Sequence, residues 1–85
     1  MEYRLVDLKP GETGKIKGIT GSIKNKRRLT AMGIVHGKEI TVEMAAPMGD
    51  PRIYSVLGYR LSMRNEDAQT ICVVQVEMMA GEGLQ

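Results

Sequence analysis

The sequence predicts a small, mostly β barrel of five short strands with one short helix inserted at about residues 24–32. The chain has 85 residues, which leaves room for a single core. Short apolar segments alternate with turns that are rich in glycine, as in small barrels. With no Trp or Phe and three Tyr, the core must be aliphatic, with methionine filling gaps. We predict one domain at residues 1–77 and a disordered tail at residues 78–85, where no pattern is present.

The first predicted strand runs from Thr13 to Thr20, after a turn at Lys9–Glu12. Its apolar residues, Ile16 and Ile19, have an odd spacing that includes Gly18. This spacing interrupts strict alternation, so we expect a bulge or bend at the glycine.

The predicted helix spans about Lys24 to Met32. Ser22 or Asn25 is a suitable residue to cap its start. Leu29 and Met32 lie three residues apart and therefore share one side of the helix, which predicts that they anchor it to the core.

Two features mark the other side and the end of this helix. Lys26, Arg27 and Arg28 lie largely opposite the apolar side. Gly33 can adopt the left-handed conformation that ends a helix, and Ile34 is placed to fold back onto the last apolar turn.

The second predicted strand, Glu39 to Ala45, has the period of a half-buried strand, since Ile40, Val42 and Met44 alternate with polar residues. We expect Met44 to be packed. Proline cannot donate a hydrogen bond to a sheet, so Pro47 to Pro51 should form an exposed loop.

The remaining chain predicts three further strands and one helical turn. Met63 alternates with polar residues and is expected to be packed, and Cys72 is expected to be a small buried hydrophobic residue. The predicted elements are strands at Arg52 to Leu57, Tyr59 to Arg64 and Ile71 to Val76, and a capped helical turn at Asn65 to Ala68.

The net charge of +2 is unevenly distributed. Residues 1–38 contain nine Lys/Arg and three Asp/Glu, giving +6, whereas residues 39–85 contain three Lys/Arg and seven Asp/Glu, giving −4. Such polarity can orient a protein on an acidic partner, although an ordinary solvated face has the same composition.

The residue types argue against catalysis and against a bound metal or cofactor. There is one His and one Cys, with no phosphate-binding glycine motif and no carboxylate pair suited to acid–base catalysis. A divalent iron site needs several converging ligands, whereas His36 stands alone in a turn and Glu39 and Glu43 should face solvent. We predict no enzyme activity, no cofactor and no metal site in the monomer. A metal ion held between two copies of the chain, with His36 of each copy as a ligand, is an alternative that the sequence leaves open.

Nucleic acid binding is an alternative, because small barrels with basic patches can bind it. Six of the nine cations in residues 1–38 would form such a patch: Lys15, Lys17, Lys24, Lys26, Arg27 and Arg28. Binders of single strands also need aromatic stacking residues among the charges, and only Tyr3 lies in that range. We therefore expect no nucleic acid partner.

Several stretches occur in an order that resembles the FeoA family, the small cytosolic proteins of bacterial and archaeal ferrous-iron uptake. They include R-L-x-x-M-G from Arg28, A-P-x-G-D-P from Ala46, L-x-x-L-x-x-G-x-x-G-x-I from Leu5, and G-Y-R-L-S-M-R from Gly58. The resemblance covers Leu5 to Val76 and implies an SH3-like barrel.

Similar barrels form the C-terminal domains of iron-responsive repressors of the diphtheria-toxin-repressor type. A metal-responsive regulatory domain is therefore a further alternative. Because no helix-turn-helix segment precedes the barrel, we expect a stand-alone protein.

The resemblance implies a non-catalytic accessory protein that binds the cytosolic part of the membrane transporter FeoB, which carries a guanine-nucleotide-binding domain. Such a protein would support or regulate the transporter. No apolar run has transmembrane length, the N-terminal residues lack the apolar core of a signal peptide, and one cysteine fits a reducing compartment. We expect a cytoplasmic protein that reaches the membrane only through its partner. Self-association is left open.

The hypothesised partner-binding residues lie on the helix and in the proline loop. Leu29 and Met32 are expected to be half core, Arg27, Arg28 and Met48 freer to contact a partner, and Asp50 is expected to cap its own turn. The set is Arg27, Arg28, Leu29, Met32, Met48 and Asp50.

Overall fold

One antiparallel sheet of six strands dominates the computed structural model, which describes residues 2–76. The predicted tail at residues 78–85 lies outside the described residues. The strands are β1 (Glu2–Arg4), β2 (Thr13–Ile19), β3 (Glu39–Ala45), β4 (Arg52–Val56), β5 (Tyr59–Met63) and β6 (Ile71–Gln75). The helices are a 3-10 turn at Leu5–Asp7, α1 (Ile23–Ala31) and α2 (Asn65–Ala68).

The strand order across the sheet is β1-β6-β2-β3-β4-β5. The mostly β prediction is confirmed, and five of the strands coincide with predicted ones. The sixth, β1, pairs with β6 from Glu2 opposite Val74 to Arg4 opposite Cys72. It has three residues, which is too short for alternation to be recognised in the sequence.

Two irregularities interrupt the pairing of the sheet. The register between β2 and β6 shifts between Ile16 and Gly18, which confirms the predicted bulge. A second shift, between Val42 and Met44, interrupts the pairing of β3 with β4. Because a bulge breaks the alternation of side chains, the prediction that Met44 is packed is wrong: its side chain is 55% exposed.

The core is aliphatic, as predicted, and is completed by Tyr54. Met63 is buried as expected, at 2% exposure. Cys72 is only partly buried, and its Sγ lies 3.2 Å from Nη1 of Arg4. The prediction that it belongs to the core is therefore wrong, because Cys72 alternates with the buried Ile71 and Val73 and so faces the other side of the sheet.

The start and end of α1 follow the predicted local rules. The Ser22 hydroxyl accepts a hydrogen bond from the Asn25 amide at 3.0 Å. Gly33 has φ +105°, its amide donates to the Thr30 carbonyl, and the Ile34 amide donates to the Leu29 carbonyl. These two bonds form a Schellman motif, and it directs Ile34 into the core at 1% exposure.

Arg52 lies in the core at 7% exposure. Its guanidinium donates to the Tyr54 hydroxyl at 3.0 Å and to the carbonyls of Leu8 and Leu5 at 2.6 and 3.0 Å. These bonds join β4 to the segment that follows β1. Burial is the main cause that raises the pKa of Tyr54, and the hydrogen bond from Arg52 opposes it.

Candidate docking surface

The hypothesised binding residues lie at two separate places, the solvent side of α1 and the turn between β3 and β4. Arg27 is exposed on α1, and Met48 is 91% exposed in the turn. An exposed methionine adapts its shape to a contacting surface. These two side chains are available to a partner.

Leu29 has no exposed surface, so its assignment as a contact residue is corrected. It belongs to the core cluster, and Met32 packs against that cluster while partly exposed, as expected for a residue that anchors the helix. The Met32 carbonyl accepts a hydrogen bond from the Tyr59 hydroxyl. These contacts attach the end of α1 to the β4–β5 hairpin.

Arg28 is paired within the molecule although its side chain is 50% exposed, so its contact with a partner stays a prediction. Its Nη2 and Nη1 atoms lie 2.8 and 3.3 Å from the two carboxylate oxygens of Asp67. Nη2 also donates to Oδ1 of Asn25 at 3.0 Å. The hydrogen bond and charge of Asp67 raise the pKa of Arg28. The ion pair joins α1 to α2.

Asp50 also has a structural partner, and it does not cap its own turn as expected. Its Oδ1 accepts a hydrogen bond from the Asn65 amide at 2.9 Å, at the start of α2. The Asn65 side-chain amide donates to the Gly49 carbonyl at 3.0 Å. The carboxylate therefore satisfies an orphan donor of α2 and fastens the β3–β4 turn to it.

A groove between β2, α1 and the loop after α1 was not among the predicted sites. We call it the β2–α1 groove; its volume is about 330 Å³. The feature of the sequence that could have indicated this groove is Gly18, which lies between Ile16 and Ile19. The groove is lined by Ile16, Gly18, Ile19, Lys26, Thr30, Ile34, Val35 and His36.

The stretch of chain that surrounds this groove is strongly basic. Residues 13–38 contain seven Lys/Arg and no Asp/Glu. Within residues 2–76, the only ion pair joins Arg28 to Asp67. The other six cations of the stretch are exposed and have no carboxylate partner within the described residues.

His36 is exposed at the groove, and Glu39 and Glu43 are also exposed. Across the described residues 2–76, no three His, Cys, Asp or Glu side chains are close enough to hold a metal ion. In the same range, no helix is long and apolar enough to cross a membrane.

The fold and these surfaces define a small antiparallel β domain whose exposed features are suited to binding other molecules. The sequence model of the FeoA domain matches residues 3–75. The chain belongs to the FeoA family, which is associated with ferrous iron transport.

One relative is a fusion of Fe(2+) transport protein A with the Fe(2+) transporter FeoB from Porphyromonas gingivalis. It is 39% identical over 77 residues, which are 91% of this chain and 9% of the fusion protein. The chain therefore spans about a tenth of that relative's length.

Two solved structures have similar folds. A FeoA-like protein from Clostridium acetobutylicum is 36% identical, with a TM-score of 0.82 and 96% of each chain covered. Stenotrophomonas maltophilia FeoA, a procaryotic SH3 domain protein solved with zinc, is 23% identical with a TM-score of 0.70, over 86% of this chain and 88% of that chain. The SH3-like prediction is confirmed.

Proposed function

We propose that this chain is a non-catalytic accessory protein of ferrous iron uptake that binds the cytosolic part of a FeoB-type transporter. The observation that carries this proposal is the fusion of a 39% identical FeoA domain to FeoB in one relative. Covalent linkage keeps two domains at a high effective concentration. A separate chain needs a surface with its own affinity to reach the same association.

The exposed features of the domain support this proposal. Met48 offers an adaptable apolar contact, and Arg27 offers a charge that no carboxylate in the described residues neutralises. Both suit a protein interface, since arginine and methionine are enriched there relative to the rest of the protein surface. We place the protein in the cytoplasm, in contact with the membrane through the transporter.

Capture of the transporter's cytosolic part tests the proposal. The 85-residue chain is immobilised, and the purified cytosolic part of the FeoB-type protein from the same genome is passed over it. The experiment is repeated with GDP and with a non-hydrolysable GTP analogue. Saturable capture in at least one nucleotide state is expected, and absence of capture in every state would contradict the proposal.

The basic stretch at residues 13–38 favours nucleic acid as a second candidate partner. The expected result for a labelled oligonucleotide is weak binding that disappears at physiological salt, because phosphate contacts are screened there. Strong binding at physiological salt would favour this second function.

A further inference from the structure

The floor of the β2–α1 groove is apolar and rigidly held. Ile16 and Ile34 lie beneath it, fully buried, whereas Ile19 is half-buried and Val35 is 36% exposed. The Ile16 amide donates to the Lys38 carbonyl and the Gly37 amide donates to the Ile16 carbonyl, both at 2.8 Å. The loop after α1 is thereby fastened to β2. The volume, about 330 Å³, is at the small end of ligand sites, with room for one or two aliphatic side chains.

One side of the groove is a strand edge without a partner. β2 pairs with β3 only from Thr13 to Lys15. Beyond Ile16, its strand pairing continues on the β6 side alone, with Gly18 opposite Cys72 and Ile19 opposite Ile71. Within the described residues, the other edge at residues 17–19 has no neighbouring strand. An extended peptide can add to such an edge through its backbone.

The charges around the groove select the occupant. Lys26 and His36 are its only titratable lining residues within the described chain, and residues 13–38 contain no Asp or Glu. A basic segment would be repelled. Within the described residues the lining contains no Phe, Tyr or Trp, and the imidazole of His36 is its one aromatic ring, whereas sequence-tolerant nucleic acid binding stacks successive bases on several aromatic side chains.

We propose that the β2–α1 groove binds an extended acidic segment that places an aliphatic side chain on Ile19 and Val35. Resting on the proposed function, this segment belongs to the cytosolic part of the transporter. The apolar floor supplies the anchor site, the open edge of β2 supplies backbone pairing, and the surrounding cations match the acidic flanks.

Gly18 provides a variant that fills the groove without strain. It lines the groove, its φ is not positive, and an added Cβ would meet no atom within 4 Å. Gly18→Leu should therefore occupy the groove while the domain stays folded. Lys26→Glu reverses a charge at the groove, and an acidic residue early in a helix is compatible with the helix dipole. Arg60→Glu, exposed on β5, makes the same charge change outside the groove.

The probe is an array of short peptides. It contains overlapping segments of the transporter's cytosolic part and unrelated sequences in which acidic and aliphatic contents vary independently. Wild-type protein should bind only peptides that have both. Gly18→Leu should weaken binding by roughly tenfold or more, and Lys26→Glu by roughly threefold to fivefold. Arg60→Glu should bind like the wild type.

Circular dichroism melts establish that each variant is folded. Chemical-shift changes in ¹⁵N-labelled protein should map to Gly18, Ile19 and Val35 on addition of a bound peptide. Binding that ignores acidic content, or that survives Gly18→Leu in a folded protein, would overturn the proposal. An oligonucleotide that shifts the same resonances at physiological salt would also overturn it.

The two proposals fail in different ways. If unrelated acidic–aliphatic peptides bind but transporter segments do not, the groove is correct and its assignment to the transporter is wrong. If the transporter domain is captured equally by wild type and Gly18→Leu, the proposed function holds and the groove is not its docking site. Capture that is lost with Gly18→Leu and kept with Arg60→Glu, both variants being folded, supports both proposals.

Discussion

Arg52 is a buried cation whose partners, within the described residues, are neutral. The positive charge is stabilised by the Tyr54 hydroxyl and the Leu5 and Leu8 carbonyls. The Cζ atom of Arg52 also lies 5.3 Å from the centre of the Tyr54 ring. The planar guanidinium reaches the three acceptors from three nitrogen atoms in a rigid fork, whereas an ammonium donates from a single nitrogen. A single side chain therefore holds β4 against the segment after β1.

Replacing Arg52 should destabilise the domain. Arg52→Leu removes the donors to the Leu8 carbonyl and to the Tyr54 hydroxyl, whereas the Leu5 carbonyl keeps its bond from the Leu8 amide. We expect the free energy of unfolding to fall by about 2–3 kcal/mol. Arg52→Lys should recover less than half of this loss. Urea denaturation measures both, with the exposed Arg60→Leu as a control expected within about 0.5 kcal/mol of wild type. An unchanged midpoint for Arg52→Leu would show that water replaces the guanidinium.

Ionisation of Tyr54 should make the free energy of unfolding depend on pH in the alkaline range. Burial raises its pKa above the usual value of 10, whereas the phenol of the unfolded chain ionises at about 10. The unfolded state therefore loses its proton first as pH rises, and stability falls above about pH 10 while it is unaffected below about pH 9. Urea denaturation midpoints measured from about pH 9 to pH 11 test this fall in stability. If the stability of the Tyr54→Phe variant does not change with pH over this range, Tyr54 is the group responsible.

At the scale of elements, α2 is a junction although it has four residues. Asp67 binds Arg28 of α1, and the Asn65 amide and side chain bind Asp50 and Gly49 in the β3–β4 turn. The end of α1 is held separately by Tyr59 through the Met32 carbonyl. These ties orient the exposed parts of α1 and of the turn relative to the sheet.

Gly33→Ala should lower the free energy of unfolding by more than the strain of a left-handed alanine alone. A left-handed alanine costs about 1–2 kcal/mol, and its Cβ would collide with the Tyr59 hydroxyl. Displacing that hydroxyl from Met32 adds about 1 kcal/mol. In a Tyr59→Phe background the collision is removed, so Gly33→Ala should then cost only the backbone term. A double-mutant cycle by chemical denaturation measures the difference, and additive effects would show that the hydroxyl is not involved.

Two neighbours in the β3–β4 turn should behave in opposite ways. Asp50→Ala removes the cap of α2 and should lower the free energy of unfolding by about 1 kcal/mol. Met48→Asp changes a 91% exposed side chain and should leave stability unchanged while weakening capture of the transporter domain. Denaturation and capture are measured for both. Met48→Asp with normal capture would exclude the turn from the docking surface.

At the scale of the whole molecule, positive charge is concentrated in β2, α1 and the loop after α1. Residues 39–85 carry a net charge of −4. This separation gives the domain a preferred orientation toward an acidic partner, and exposed charges act over about 10 Å at 0.1 M salt.

Arg27→Glu tests the electrostatic part of docking more cleanly than Arg28→Glu, because Arg28 also holds Asp67. The Arg27 variant should keep its melting temperature, since an isolated surface charge contributes about 0–1 kcal/mol. Capture of the transporter domain should weaken, and its salt dependence should become shallower. Equal capture and an equal salt slope would place Arg27 outside the interface.

Local sequence was sufficient to predict features that depend on near neighbours. The strand at Glu39–Ala45, the Ser22 cap, the bulge at Gly18 and the end of α1 at Gly33 all follow from periodicity, hydroxyl capping or backbone freedom. Each of these rules depends only on residues a few positions apart, so the features can be predicted from the local sequence alone.

The tertiary structure decided which side chains are free and where the groove lies. Arg27 and Arg28 are adjacent and chemically alike, yet only Arg28 meets a carboxylate, from a residue 39 positions away. Asp50 and Arg52 likewise find partners 15 and more than 40 residues away. Met44 became exposed because of a shift in pairing with a different strand. Each outcome depends on which distant segments the fold brings within hydrogen-bonding distance, and this is set by the packing of the whole sheet.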